Sequence, residues 1–403
     1  MIAEIFIAIL LGCIVGTFTG LTPGVHINLV SLLILTFSVF LLKFTSPLLI
    51  AIFIISMSIT HTFTDFIPSC FLGAPESDNV LSALPGHRLL LEGKGYEAVF
   101  LTVVGSLLGL ILTIISIPLM IPFLKFIFPI VKPYIGHFLI IIAALLIIRE
   151  RKIWALILFL LSGVFGLAVF SLHMKDPLFP MLSGLFGISM LLLSYKQNTK
   201  IPPQIKSEIK IEKSELRKAT FSSVVVGSIA SFFPGLGPSQ AAIIAIELVR
   251  KLETKGFLIL VGSLNTVNMV VSLVTLYVID KARNGSIVIM SQILEVLTKD
   301  YLILFLGVAL VAGSIATVIT LKTTDLFAKI MPKVNYRLLC LCIMAFVTLL
   351  AFILSGFLGL FVLLIGTSIG MIPQLKYWQE PLDGLLASAD NTLLYIMKRF
   401  KYH

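Results

Sequence analysis

The feature that most limits this chain is a succession of apolar stretches, each 15 to 25 residues long and nearly free of charge, recurring from the first residues to beyond residue 370. A helix needs about 20 such residues to cross the hydrocarbon layer of a bilayer. On that ruler the candidate segments lie near residues 3–21, 25–42, 47–63, 98–121, 134–149, 153–171 and 178–195. A second series follows near 219–233, 236–249, 256–279, 301–321, 335–354 and 356–372, with a short one near 385–397. The 403 residues are 58% hydrophobic and 12% charged, with a mean hydropathy of +1.08, whereas soluble chains carry roughly a quarter charged residues. The expected fold is therefore an all-α polytopic membrane protein of about 12 transmembrane segments. The N-terminal run lacks a preceding Lys or Arg and a small-residue cleavage site after it, so residues 2–22 are expected to stay as structure.

The net charge of +10 reads as topology rather than as a nucleic-acid footprint, because membrane proteins gather Lys and Arg in cytoplasmic loops. Residues 196–218, KQNTKIPPQIKSEIKIEKSELRK, hold seven Lys/Arg against three Glu and no apolar run, and are expected to form a solvated cytoplasmic linker. Cys13, Cys70, Cys340 and Cys342 lie in apolar runs without metal-binding spacing and read as buried small hydrophobes.

The linker falls near the midpoint, and the two sides of it repeat. Residues 15–29, VGTFTGLTPGVHINL, align without gaps with residues 226–240, VGSIASFFPGLGPSQ. A weaker match sets SGVFGL (162–167) against SGFLGL (355–360). The expected organisation is an N-terminal membrane repeat over 1–195, the linker over 196–218 and a C-terminal membrane repeat over 219–403. Two related membrane halves joined in this way are the pattern of a secondary transporter.

In each half an apolar stretch runs into Pro-Gly and restarts, at Pro23-Gly24 and at Pro234-Gly235. Pro lacks an amide donor and Gly admits backbone angles closed to other residues, so both pairs should break their helices. At membrane depth a break is tolerated where the freed backbone groups line a cavity or pack in protein. The restarting half-helices offer unpaired amide donors to an anion, with His26, Asn28, Gly237, Ser239 and Gln240 beside them. Two re-entrant or broken Pro-Gly hairpins are therefore expected to hold an organic anion. Asn265 and Asn268, three apart on one helix face, are further candidates for substrate contact.

Residues 60–97 interrupt the apolar pattern with His61, Asp65, Glu76, Asp78, His87 and Arg88 among several Pro and Gly. Ionisable groups in such a setting are expensive and usually face a cavity. Asp65, Glu76 and Asp78 are the candidates for carrying a proton or coordinating sodium. Arg88 would equally suit a lipid phosphate, which keeps a flippase of a polyprenyl-phosphate-type carrier as an alternative. His26 or His61 with Asp65, the latter two an i, i+4 pair, admit an intramembrane acid–base enzyme acting on lipid-linked substrates as a third reading. No phosphate-binding loop, zinc signature or nucleophile elbow occurs, and no cofactor is expected beyond a coupling ion, Na+ or H+.

These residues carry a resemblance. GTFTGLTPGVH, GSIASFFPGLGPSQA, LGAPESDNVLSALPGHRLLLEGKGYEAVFLTVVGSLLG, FPMLSGLFGISMLLL (179–193) and LSGFLGLFVLLIGTSIGMIPQL (354–375) together resemble the large permease subunit of tripartite tricarboxylate transporters, over nearly the whole chain and in the right order. The spacing of Pro75, Gly86, Gly93, Gly105 and Ser106 and the Asn265/Asn268 helix belong to the same likeness. The chain departs from the family pattern at Val25-His26-Ile27-Asn28 and at Glu76-Ser77-Asp78. The resemblance implies a cation-coupled permease for carboxylates in the cell membrane, partnered by a small membrane subunit and an extracytoplasmic binding protein. A homodimer is a further candidate assembly.

Overall fold

The computed structural model describes residues 2–377 apart from Gly24, His26, 74–79, 150–151, 175–176, 198–200, 206–208, 234–235, 250–251, Arg283 and Glu295. Among these the chain is helical throughout. In order it forms α1 (Ile2–Leu21), α2 (Ile27–Thr36), α3 (Ser38–Leu41), α4 (Pro47–Thr64), α5 (Phe66–Phe71), α6 (Val80–Leu91), α7 (Gly95–Val131), α8 (Ile135–Arg149) and α9 (Lys152–Ser171). There follow α10 (Leu178–Leu182), a π-helical turn (Ser183–Ile188), α11 (Ser189–Gln197), α12 (Lys213–Ala230), α13 (Pro238–Val249), α14 (Thr254–Ile279), α15 (Gly285–Leu294), α16 (Lys299–Ile330) and α17 (Tyr336–Tyr377). Eight helical stretches among the described residues are long and apolar enough to cross a membrane. They cover ten of the segments marked from sequence, because 98–121 and 134–149 fall in one stretch, as do 335–354 and 356–372. The segment near 385–397 lies outside the described residues.

Two compact units form, and they do not follow the order of the chain. The larger takes residues 1–71, 78–132 and 201–333; the smaller takes 72–77, 133–200 and 334–403. In the larger unit α4 and α14 are innermost: in the most apolar 18-residue windows of the Pro47–Phe71 and Thr254–Ile279 stretches, 78% and 94% of the residues are buried. α1 and α16 pack along α4, while α7 and α12 pack along α14.

Glycine is what allows these approaches. Gly12, Gly16 and Gly20 recur every fourth residue on α1, and a Cβ on any of them would be driven into Phe53, Met57 or Thr64 of α4. Gly105 and Gly109 of α7 and Gly262 of α14 make the same kind of seam against Ile259, Ser263 and Thr102. In a bilayer, where lipid is as apolar as a leucine face, close packing of this kind is what holds helices together. Ser106 Oγ crosses the seam to donate to the Gly262 carbonyl at 2.9 Å.

In the smaller unit, α10, the π turn and α11 pack on α17 around Phe165, Val169, Met181, Val362 and Ile369. Left-handed Gly356 (φ 62°) divides α17, at the boundary expected between 335–354 and 356–372. Its counterpart in the weaker sequence match, Gly163, stays helical inside α9.

Two described residues of the basic stretch 196–218 pack inward. Ile201 is buried, and Gln204 reaches into the turn between α6 and α7. Its Oε1 accepts from the Gly95 amide at 2.8 Å, and its Nε2 donates to the carbonyls of Leu90 (3.1 Å) and Pro202 (2.7 Å). One side chain thus satisfies an orphan amide at the start of α7 and a carbonyl near the end of α6. Gln204→Ala is expected to cost about 1–2 kcal/mol. The check is hydrogen exchange, in which protection should fall at the Gly95 amide and at the Ile205 amide, which donates to Gly93 O at 2.8 Å.

Candidate functional site

Each Pro-Gly pair falls between two helices. α1 ends at Leu21, Pro23 sits in the turn closed by Val25 N–H donating to Thr22 O at 3.1 Å, and α2 restarts at Ile27. α12 ends at Ala230 and α13 restarts at Pro238, the first helical position, where a missing amide costs nothing. Gly24, His26, Pro234 and Gly235 themselves lie outside the described residues, as do Glu76 and Asp78. The exposed Gln240 turns back to accept from the Gly237 amide at 3.0 Å, which makes it a cap of its own helix. Ser239 is half-buried beside it in the first turn of α13.

Asn28 stands in the first turn of α2 and meets the start of α15. A Cβ on Gly285 would press on the Asn28 amide, which would have to shift to make room for it. Asn284 caps α15, its Oδ1 accepting from Ser286 N–H at 3.0 Å and from the Ser286 hydroxyl at 2.8 Å. The Ser286 oxygen in turn accepts from Ser58 of α4 at 3.0 Å.

A buried polar contact joins the two innermost helices. Asp65, 2% exposed at the end of α4, accepts a hydrogen bond from Asn265 Nδ2 of α14 at 2.8 Å. Next to it Thr62 and Thr266 hydroxyls meet at 3.1 Å. His61, one turn before Asp65 and also 2% exposed, contacts Thr19 Oγ1 of α1 through Nδ1 at 3.0 Å. Asn268 accepts from Ser231 at 2.9 Å, tying α14 to the end of α12 just before the second break. The α4/α5 junction falls at Asp65 itself, while Pro68 and Pro85 sit inside short helices and the break expected over 60–97 is taken up at Asp65 and after Phe71.

The structure therefore brings Asp65 together with Asn265 and sets Asn28 at the start of α15. Arg88 lies on the surface, with Nε 3.4 Å from Glu92. Thr19, Thr62, Thr266, Ser231, Asn284 and Ser286 join the site without having stood out in the sequence. Among the described residues no group of three or more His, Cys, Asp or Glu could hold a metal ion.

A family model described as "Tripartite tricarboxylate transporter TctA family" matches residues 6–381. The chain is 32% identical over 355 residues to the "Uncharacterized protein MJ1079" of Methanocaldococcus jannaschii, covering 86% of each chain. No solved structure matches.

Proposed function

The chain belongs to the tripartite tricarboxylate transporter TctA family, a family of integral membrane transporters and not of enzymes, and from that premise we propose that it is a cation-coupled permease for an organic anion of the carboxylate class. The anion sits between the two Pro-Gly breaks, Pro23-Gly24 and Pro234-Gly235, held by half-helix amides and by Asn28, Ser239 and Asn268. The coupling cation binds near Asp65, with Glu76 and Asp78 following it on the same stretch of chain.

The observation that carries this reading is the matched architecture around the two breaks. α1, broken at Pro23, packs on α4; α12, broken before Pro238, packs on α14; and α4 and α14 are joined by Asp65 and Asn265. The packing partners cross over as well, since α4 takes α16 and α14 takes α7. Two repeats, over 1–195 and 219–403 and joined by 196–218, would interlock in this way to enclose a shared site, and broken helices in corresponding places are how such transporters present amides to an anion. Counting the two breaks as re-entrant hairpins brings the expected total to about 12 membrane segments. A small membrane subunit and an extracytoplasmic binding protein are the partners the family implies, and a homodimer is the proposed state of the chain itself. Arg88, the cation that a lipid phosphate would need, is engaged with Glu92 at the surface, which favours a soluble carboxylate over a lipid carrier.

The test is uptake of a panel of radiolabelled carboxylates into proteoliposomes under an imposed proton or sodium gradient. The parent is expected to accumulate at least one of them, and Gly24→Leu with Gly235→Leu to abolish that accumulation while still eluting as a folded protein. Equal uptake by parent and variant would remove the site from the Pro-Gly segments.

A further inference from the structure

We infer that a carboxylate group of the substrate is held where α2 and α15 meet, on the Ser31 hydroxyl, the Asn284 amide and the first backbone amides of α15, an assignment that deepens the permease reading above and rests on it. α2 is the helix that restarts after the first Pro-Gly break, and it packs along α15. The two helices come together at their starts, where Asn28 lies against Gly285. The first four amides of a helix have no carbonyl of their own helix to bond, and the helix dipole puts its positive end there. Two such ends at one point favour an anion and disfavour a cation. The helix that restarts after the second break has a corresponding neighbour, since α13 meets α6.

The Ser31 hydroxyl is the observation that turns this meeting of helix starts into a site. It stands three residues after Asn28, on the same face of α2. It is 0% exposed, yet its oxygen has no hydrogen-bond partner among the described residues. A buried polar group in that condition costs stability, and serines in helices ordinarily avoid it by donating to a carbonyl three or four residues back. Ser291 of α15 does so to the Val288 carbonyl at 2.7 Å, and Ser314 of α16 to the Leu310 carbonyl at 2.8 Å. Ser31 keeps its hydrogen for a group from outside its helix, and a carboxylate oxygen is a strong acceptor for it.

Asn284 supplies further hydrogens. Its Oδ1 accepts from the Ser286 amide at 3.0 Å and from the Ser286 hydroxyl at 2.8 Å, and Ser58 of α4 donates to Ser286 in turn at 3.0 Å. Those donors fix which end of the Asn284 side chain faces its helix, because an oxygen must receive them. The NH2 end is therefore turned away from the first turn of α15, and it donates to no described residue. Neither α2 nor α15 carries an ionisable side chain, so no fixed acid on them repels the incoming charge and no fixed base neutralises it. Asp280 and Lys281, just before the start of α15, are exposed and opposite in sign.

Two substitutions test this without threatening the fold. Ser31→Ala removes an unsatisfied hydroxyl, and Asn284→Asp keeps the oxygen that caps α15 while exchanging the NH2 for a negative oxygen. With the carboxylate that the parent accumulates in proteoliposomes, each is expected to raise KM at least about tenfold, the worth of one hydrogen bond to a charged group, while the melting temperature stays level or rises. Ser291→Ala should leave KM unmoved. A purely structural Asn284 would tolerate the change, because aspartate caps a helix start as well as asparagine does. An unchanged KM in either variant overturns the inference and leaves the permease reading standing. If the parent moves no carboxylate, the permease reading fails, and a second measurement decides the site alone. Ser31→Cys, with modification at position 31 read by mass spectrometry, should react faster with an anionic methanethiosulfonate than with a cationic one of similar size, each rate taken relative to a free thiol. Equal rates, a preference for the cationic reagent, or no reaction with either overturns the inference.

Discussion

Gly262→Leu should leave little folded protein. The Cβ it adds would be driven into the backbone carbonyl of Thr102, and α7 and α14 are each seated against neighbours on more than this one side. Backbone cannot swing away as a side-chain tip can, so one of the two helices must move out of the seam. Overpacking a well-filled core typically costs about 1–3 kcal/mol, and more when the atom struck is main chain. Here the loss also takes the Ser106 hydrogen bond to the Gly262 carbonyl and the contact of Gly105 with Ile259. Thermal melts followed by size-exclusion chromatography in detergent provide the check, with Gly307→Leu as the comparison, because a Cβ there meets nothing within 4 Å. The expected result is a monodisperse peak for Gly307→Leu and an aggregated or absent one for Gly262→Leu. Similar melting of the two variants would mean that α7 and α14 are not in close contact.

That seam shows where a sequence stops being informative. The segment expected over 256–279 became α14, Thr254–Ile279, because an uninterrupted apolar run has one way to satisfy its backbone in a bilayer. The Pro-Gly breaks were legible for the same reason in reverse. The four-residue spacing of Gly12, Gly16 and Gly20 is visible in the sequence too, but it says only that some helix comes close, and the identity of that helix as α4 is a tertiary fact. The segment expected to end near residue 121 runs on to Val131 as α7, through Pro118, Pro122 and Pro129, since proline in a membrane helix removes one bond at a time and neighbouring groups can restore it. The start of α12 at Lys213 was hidden by its polar first turns, which an apolar ruler reads as linker. In the site, Asp65 and Asn265 each stood out because charge and amide are expensive in an apolar helix. Their meeting across 200 residues depends on packing. Thr19, Thr62 and Thr266 belong to residue types too common in membrane helices to be singled out, and matter here because of what they touch.

Asn265→Leu should be markedly less stable than the parent, and Asp65→Leu with Asn265→Leu should recover most of what was lost. The single change takes the amide hydrogen from a carboxylate that is 2% exposed, and a buried charged acceptor stripped of a donor costs about 1–3 kcal/mol or more. Removing both members leaves two apolar side chains where a hydrogen-bonded pair stood, an exchange that can be nearly neutral. The double variant would therefore melt close to the parent and still fail to accumulate substrate, which separates holding the helices together from coupling them to an ion. A double-mutant cycle of melting free energies measures the difference as a coupling energy. Simple addition of the two single costs would mean that the Asp65–Asn265 contact contributes nothing as a pair. A stable, inactive double variant would instead mean that the charge is kept between α4 and α14 for function, because an apolar pair would hold the same helices as well.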